Sequence, residues 1–263
     1  MSTTLHTNQI IPLLDQYGSL ADVEVVEETG STNADLMARL HLLQAPVLRV
    51  AERQTAGRGR AGRVWRSVPG GVLTFSLAWR FRRQAQGLLG LPLAVGVAVA
   101  EVLLAQSVPV QLKWPNDILK DGKKLAGILI ETSPVPDQDG GGTWTVIGIG
   151  LNLSIPHELE AEIGREVADA PWLAQMDRNT LMAHLLNALA KALQQFEQQG
   201  FAAFTGRWNS MHAYAQQMVR ILDQGQIVHE GTALGVDANG CLSLLTAQGP
   251  VTVVAGDVSL RPV

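Results

Sequence analysis

The sequence predicts an α+β fold, a mixed sheet with helices followed by a small β module. Three observations carry this. Short β-prone runs and helical patterns alternate irregularly as far as Gln199. Leu181, Leu185, Leu189, Leu193 and Phe196 then recur at helical spacing. From Met218 onward, short β-prone runs are broken by Asp223-Gln-Gly225, Asp237-Ala-Asn-Gly240 and Gln248-Gly-Pro250.

Strands are expected over residues 23–27, 47–53, 72–79, 110–114, 125–131 and 144–153, where β-branched and apolar residues cluster between turn formers. Thr32-x-x-Asp35 reads as a capping box that starts a helix running to about residue 42. The apolar stretch 88–105 reads as a helix before the 110–114 strand. Two prolines and Asp137-Gln-Asp-Gly-Gly-Gly142 mark a long hairpin loop. The leucine-patterned helix covers 179–199, with Gly200 as its C-cap. Asn239-Gly240 is a strong hairpin signal inside the last module. The division expected is 1–215 for the main domain and 216–263 for a small antiparallel barrel.

The chain has 263 residues, enough for one large domain or a domain plus a module, with a substantial core. Its 46% hydrophobic content excludes wholesale disorder. A net charge of −4 argues against a general nucleic-acid binder but allows a local basic site. The single cysteine, Cys241, makes no internal disulfide and fits a reducing compartment. Residues 1–15 lack a signal-peptide pattern. The longest apolar run, 88–100, ends at Glu101 and is shorter than the roughly 20 residues a membrane span needs. A soluble, cytoplasmic protein with no membrane partner is expected. No local zinc motif, nucleophile elbow or Walker-type phosphate loop is visible.

The densest chemical signal is Gln54-Thr-Ala-Gly57-Arg58-Gly59-Arg60-Ala-Gly62-Arg63-Val-Trp65. From Arg49 to Arg66 there are six arginines and one acid, Glu52. Glycines permit close backbone approach and arginines supply forked donors for carboxylate or phosphate. The pattern fits a loop that closes on an anion; the bland alternative is a solvated basic loop. Gly57, Gly59 and Gly62 also match G-x-G-x-x-G. A dinucleotide site is rejected, because loop rather than helix follows and no acid stands about 20 residues on.

A second signal is Lys113-Trp-Pro-Asn116-Asp117, followed by Lys123-Lys124-Leu-Ala-Gly127 and Glu131. Four of the five lysines lie between Lys113 and Lys124. The Trp-Pro break places Asn116 and Asp117 in a turn, where they could hold Mg²⁺, contact phosphates or orient a lysine. An ordinary lysine-rich hairpin is the competing reading. Ser31-Thr32-Asn33 is a helix cap that can also hold a polar ring. Gly148-Ile-Gly150-Leu-Asn152 suggests close backbone approach within a strand.

Together and in this order, these segments resemble the biotin–protein ligase family, also called biotin–[acetyl-CoA-carboxylase] ligase. The resemblance runs from about Val25 into the C-terminal module. It implies a class II synthetase-like catalytic domain and a small SH3-like barrel. It further implies ATP and Mg²⁺ as requirements, biotin as substrate, and the biotin carboxyl carrier protein of acetyl-CoA carboxylase as partner. Carried over position by position, Ser31, Thr32, Asn33, Gln54, Arg58, Gly59, Arg60, Lys124 and Gly127 fall on the biotin side. Gly57, Arg63, Trp65, Lys113, Asn116, Asn152 and Trp172 fall on the ATP side. Arg60, Lys124 and Asp117 are the catalytic set, and Asn116 with Asp117 the metal pair. Only about 20 residues precede Val23, too few for the winged helix-turn-helix of bifunctional members, so ligase activity without operator binding is expected. Dimers of this family make a homodimer an open expectation. The rivals are a lipoate–protein ligase, a non-enzymatic biotin or nucleotide-binding regulator, and a nucleic-acid protein using the arginine loop. The last lacks the aromatics that single-strand stacking needs.

Overall fold

A computed structural model describes residues 4–156, 160, 166–256 and 258–263. Helix α1 (Thr7–Ile10) is followed by β1 (Asp22–Thr29), α2 (Thr32–Arg39), β2 (Val47–Gln54), β3 (Val72–Phe81) and α3 (Leu91–Ala105). Then come β4 (Gln111–Lys113), β5 (Asp117–Lys120), β6 (Lys123–Pro134) and β7 (Thr143–Asn152). Helices α4 (Pro171–Gln175), α5 (Arg178–Gln199) and α6 (Thr205–Ser210) lead to β8 (Met218–Asp223), β9 (Gln226–Val236), β10 (Leu242–Thr246), β11 (Gly249–Val253) and β12 (Ser259–Pro262).

The first seven strands form one sheet in the order β1-β2-β3-β7-β6-β5-β4. Strands β1 and β2 are parallel, joined across α2, and every other neighbouring pair is antiparallel. The sheet is therefore mixed, as the sequence predicts. Side-chain alternation divides its faces. Leu73, Phe75, Leu77, Ile147, Ile149 and Leu151 join the main core with α3 and α5. On the opposite face Ala78, Trp144 and Val146 pack on Leu36 and Leu40 in a smaller cluster. Thr74, Ser76, Gly148 and Gly150 share that second face by strand register, and they prepare a polar floor beneath the start of α2.

The apolar stretch 88–105 is a core element. Helix α3 is buried over most of its length, as a helix apolar on all sides must be. Helix α5 buries Leu181, Leu185, Leu189, Leu193 and Phe196, is capped by Asp177, and stops at Gly200, whose φ is 66°.

Two local expectations change. The cap of α2 is Ser31, whose side chain accepts from Ala34 N, and not Thr32. Asp35 instead accepts from Thr29 Oγ1 and the Arg49 guanidinium. This leaves the Thr32 hydroxyl for the floor of the pocket. Asp117 also lies at the start of β5 rather than in a turn, because β5 and β6 form a hairpin through Asp121 and Gly122, both at positive φ.

The last five strands form an antiparallel sheet in the order β11-β10-β9-β8-β12. Residues 211–217 join it to the large sheet. Leu112 N donates to Met211 O and Ala213 N to Leu112 O, so β4 is paired with the connection itself. Asn209 exchanges hydrogen bonds with the main chain of Val236.

His212 is buried in this junction, its ring 4.8 Å from that of Trp208. Neither ring nitrogen has a hydrogen-bond partner among the described residues. Burial pushes its pKa down to about 4, from 6.5 in the exposed group. The unfolded chain thus binds the proton more readily. The stability from keeping His212 neutral is full above the unfolded pKa and is lost as pH falls toward about 4. The loss amounts to about 3 kcal/mol at the acid end. His212→Leu is expected to flatten the fall of Tm across this window. Thermal unfolding of both proteins through the window checks it, and parallel pH profiles would reject the assignment.

Candidate active site

Where α2 begins over the sheet, two glycines of β7 keep the floor low. A Cβ at Gly148 would lie 2.2 Å from Asn33 Oδ1, and one at Gly150 would lie 2.1 Å from the Trp65 indole. These glycines are there for space, since each is covered directly by a side chain.

Around this floor runs a hydrogen-bonded chain of side chains. Gln54 Oε1 accepts from the main-chain N–H of Thr32 at 2.8 Å. Thr32 Oγ1 is 2.7 Å from Ser76 Oγ, which donates to Asn33 Oδ1 at 2.5 Å. Asn33 Nδ2 donates to Glu131 Oε2 at 2.8 Å. Ser31, Thr32, Asn33 and Ser76 are all buried. With Gln54, Arg58, Gly59, Arg60, Trp65, Lys124 and Gly127 they line a narrow pocket of about 50 Å³ beneath the arginine loop.

The arginine loop folds over this pocket as a narrow hairpin. Trp65 N donates to Gly57 O at 2.9 Å and Gly59 N to Arg63 O at 2.7 Å. Arg58 donates to Glu131 Oε2 at 3.0 Å. Arg60 donates to Asn116 Oδ1 at 2.9 Å, and also to the main-chain carbonyls of Gly256 and Val258. The loop is therefore tied to β6, to the β4–β5 turn and to the C-terminal module. The six arginines divide by role. Arg49 binds Glu24 and Asp35, and Arg53 binds Glu28, away from the pocket. Burial would raise the Glu24 carboxyl pKa, but hydrogen bonds from Arg39 and Arg49 more than offset this and hold it below its ordinary value.

Beyond Arg60 the pocket opens into a groove against β12. Its lining carries five cations, Arg60, Arg63, Lys113, Lys124 and Arg261, against one carboxylate, Asp117. Such a groove attracts an anion. Lys124 Nζ pairs with Asp117 Oδ1 at 2.5 Å and lies 5.5 Å from the Trp65 ring centroid. Tyr214 stands close by. Burial pushes its phenol pKa up, with Arg261 opposing and Asp117 adding to the rise.

The Biotin/lipoate A/B protein ligase family matches residues 23–152, and the Biotin protein ligase C terminal domain matches residues 217–261. The Bifunctional ligase/repressor BirA of Escherichia coli (strain K12) is 34% identical over 265 residues, covering 98% of this chain and 78% of that protein. The chain belongs to the biotin protein ligase family. The Biotin--[acetyl-CoA-carboxylase] ligase of Mycobacterium tuberculosis (strain ATCC 25618 / H37Rv) is 35% identical, covering 90% of this chain and 88% of that ligase. The structure of biotin protein ligase from Aquifex aeolicus in complex with biotin and ATP superposes with a TM-score of 0.76. It is 29% identical and covers 92% of this chain and 99% of that ligase.

Most of the residues singled out from the sequence of this biotin protein ligase meet at the pocket or the groove. Gly57, Asn152 and Trp172 do not; Gly57 lines a separate cleft on the outer side of the loop. Asn152 Nδ2 donates to Ala168 O at 3.0 Å, which staples the 166–170 segment to β7. Trp172 is 43% exposed, with Lys120 Nζ 5.2 Å above its ring, and lines neither cavity. The magnesium pair does not fit a resident ion. Asp117 is already bridged to Lys124, and Asn116 Oδ1 already accepts from Arg60. Among the described residues no three His, Cys, Asp or Glu side chains group as a metal site. Sequence reasoning missed Ser76 and Arg261, and gave Glu131 no role. Thr74 and Ser76 are the polar residues of an otherwise apolar run, and their two-residue spacing was the available signal.

Proposed function

We propose that the chain activates biotin with ATP to biotinyl-5′-AMP and then transfers biotin to a lysine of the biotin carboxyl carrier of acetyl-CoA carboxylase. One observation carries this reading. A pocket floored by uncharged polar side chains and a groove of five cations meet at Arg60 and Lys124. A bicyclic urea with a carboxylate tail suits the first, and a nucleoside triphosphate suits the second. Their reacting atoms then meet beside the Lys124 ammonium.

The chemistry needs that meeting point. A carboxylate is a poor acyl donor because its oxygen leaves badly. Attack of a biotin carboxylate oxygen on the α-phosphorus forms the mixed anhydride and breaks the bond to pyrophosphate. Both reactants are anions, so Arg58, Arg60 and Lys124 serve by screening and positioning. The neutral amine of the carrier lysine then attacks the acyl carbon, and AMP leaves with the bonding pair. Ser31, Thr32, Asn33 and Gln54 hold the ring, while Gly59 and Gly127 leave room for it. Gly57, Arg63, Trp65, Lys113 and Asn116 serve the nucleotide side. Asp117, in contact with Lys124, orients that ammonium. Magnesium enters with ATP as part of the substrate. We read the five-stranded module as an SH3-like barrel and the enzyme as cytoplasmic. A homodimer would form through a sheet edge, of which β1 is one.

Arg60→Ala tests the closed loop. The substitution removes the donor to Asn116, Gly256 and Val258 at once. Folding is expected to persist, since Arg60 lies at a loop surface, while release of biotinyl-5′-AMP accelerates about 10- to 100-fold. Biotin binding weakens as well. Adenylate release measured by quench and filtration checks this, and unchanged retention would remove the loop from the site.

A further inference from the structure

A hydroxyl has one proton, and that fixes the direction of every hydrogen bond on the pocket floor. Glu131 Oε2 accepts from the Arg58 guanidinium, which has donors only. The same oxygen is 2.8 Å from Asn33, so Asn33 turns Nδ2 toward it. Asn33 Oδ1 therefore faces Ser76 and takes its proton at 2.5 Å. Ser76 Oγ can then only accept from Thr32 Oγ1, 2.7 Å away. Thr32 has thus committed its proton inward. From the other side, the main-chain N–H of Thr32 fixes Gln54 Oε1 as an acceptor. Thr32 Oγ1 is 3.1 Å from Gln54 Oε1, within donating distance, but its one proton cannot serve both partners and goes to the shorter contact with Ser76, which leaves two acceptors facing each other. Such a pair calls for an N–H from the ligand.

We infer that Glu131 is a positioning residue that sets this polarity. Acting through Asn33 and Ser76, it holds Thr32 Oγ1 as an acceptor, and so selects a ring bearing N–H over one bearing oxygen at that point. Glu131 itself is not in the pocket lining. The inference rests on reading this pocket as the biotin site, whose ureido ring carries the N–H groups. Without the carboxylate, Asn33 is free to turn. Ser76 can then donate to Thr32, and Thr32 to Gln54, which closes the acceptor pair.

The test is calorimetric titration of the full chain with biotin and with its cyclic-carbamate analogue, in which one ring N–H is replaced by oxygen. The wild-type protein is expected to prefer biotin by about 100-fold or more, because the analogue sets an oxygen against the Thr32 and Gln54 acceptors in place of an N–H. Glu131→Gln is expected to cut that ratio about tenfold, with the KM for ATP unchanged. Ser76→Ala, one step nearer Thr32, should act in the same direction. It carries the test alone if Glu131→Gln does not fold by circular dichroism. Equal weakening toward both ligands, or an unchanged ratio, overturns the inference and leaves Glu131 a structural anchor. A wild-type protein that binds no biotin would instead overturn the biotin reading, a different and recognisable failure.

Discussion

Lys124→Ala is expected to slow adenylate formation by about 100- to 1,000-fold. Lys124 and Arg60 are the cations shared by the polar pocket and the anion groove, and Lys124 is the one paired with Asp117. Its ammonium is held by Asp117 at 2.5 Å and mostly shielded from water, so its field on a developing phosphoryl charge is weakly screened. Removing it leaves Asp117 without that cation, which adds repulsion toward the triphosphate. Lys124→Ala with Asp117→Asn should therefore recover any lost stability without restoring the rate. Lys191→Ala, on the outer side of α5 near Tyr17, is the control and should leave the rate unchanged. Pyrophosphate release under single-turnover conditions measures all three. A Lys124→Ala rate within a factor of about three of Lys191→Ala would exclude Lys124 from the chemistry.

Trp114→Ala is expected to cost about 3–5 kcal/mol of stability. The side chain is fully buried in the main core, and its indole N–H donates to Gly240 O of the C-terminal module at 3.1 Å. Truncation opens a cavity and orphans that carbonyl. In a protein of this size the cost corresponds to a fall in Tm of about 10 °C. Trp114→Phe keeps most of the volume and should lose much less. Thermal unfolding by circular dichroism checks both. A loss under about 1 kcal/mol for the alanine variant would show that the modules are joined elsewhere.

This residue shows how sequence and structure divide the work. The segment Lys113 to Asp117 reads from sequence as one chemical motif. In the fold its members separate. Lys113 and Asp117 face the groove, Asn116 faces Arg60, and Trp114 turns inward as a structural bolt. Spacing alone does not carry that distinction, because it depends on what lies across the module junction. The mixed sheet, the apolar core helix and the leucine-patterned helix were legible because period and burial agree along each element. Strand β5 is not legible because it is only four residues long, and the hairpin turns at Asp121 and Gly122 rather than at Asn116 and Asp117. The same limit applies at the floor. Ser76 reads as a polar break in a strand, and only the distances to Thr32 and Asn33 reveal its place in the pocket. Arg261 lies far along the chain and reaches the groove only because the C-terminal sheet packs there.

The most direct measurement mixes the purified chain with biotin and Mg-ATP and looks for biotinyl-5′-AMP and pyrophosphate by mass spectrometry, with lipoate in a parallel tube. Biotin-dependent adenylate, with none from lipoate, is the expected result. Adenylate from lipoate alone would assign the pocket to the other acyl substrate of the family. No adenylate from either, in a sample whose circular dichroism shows it folded, would contradict the ligase account.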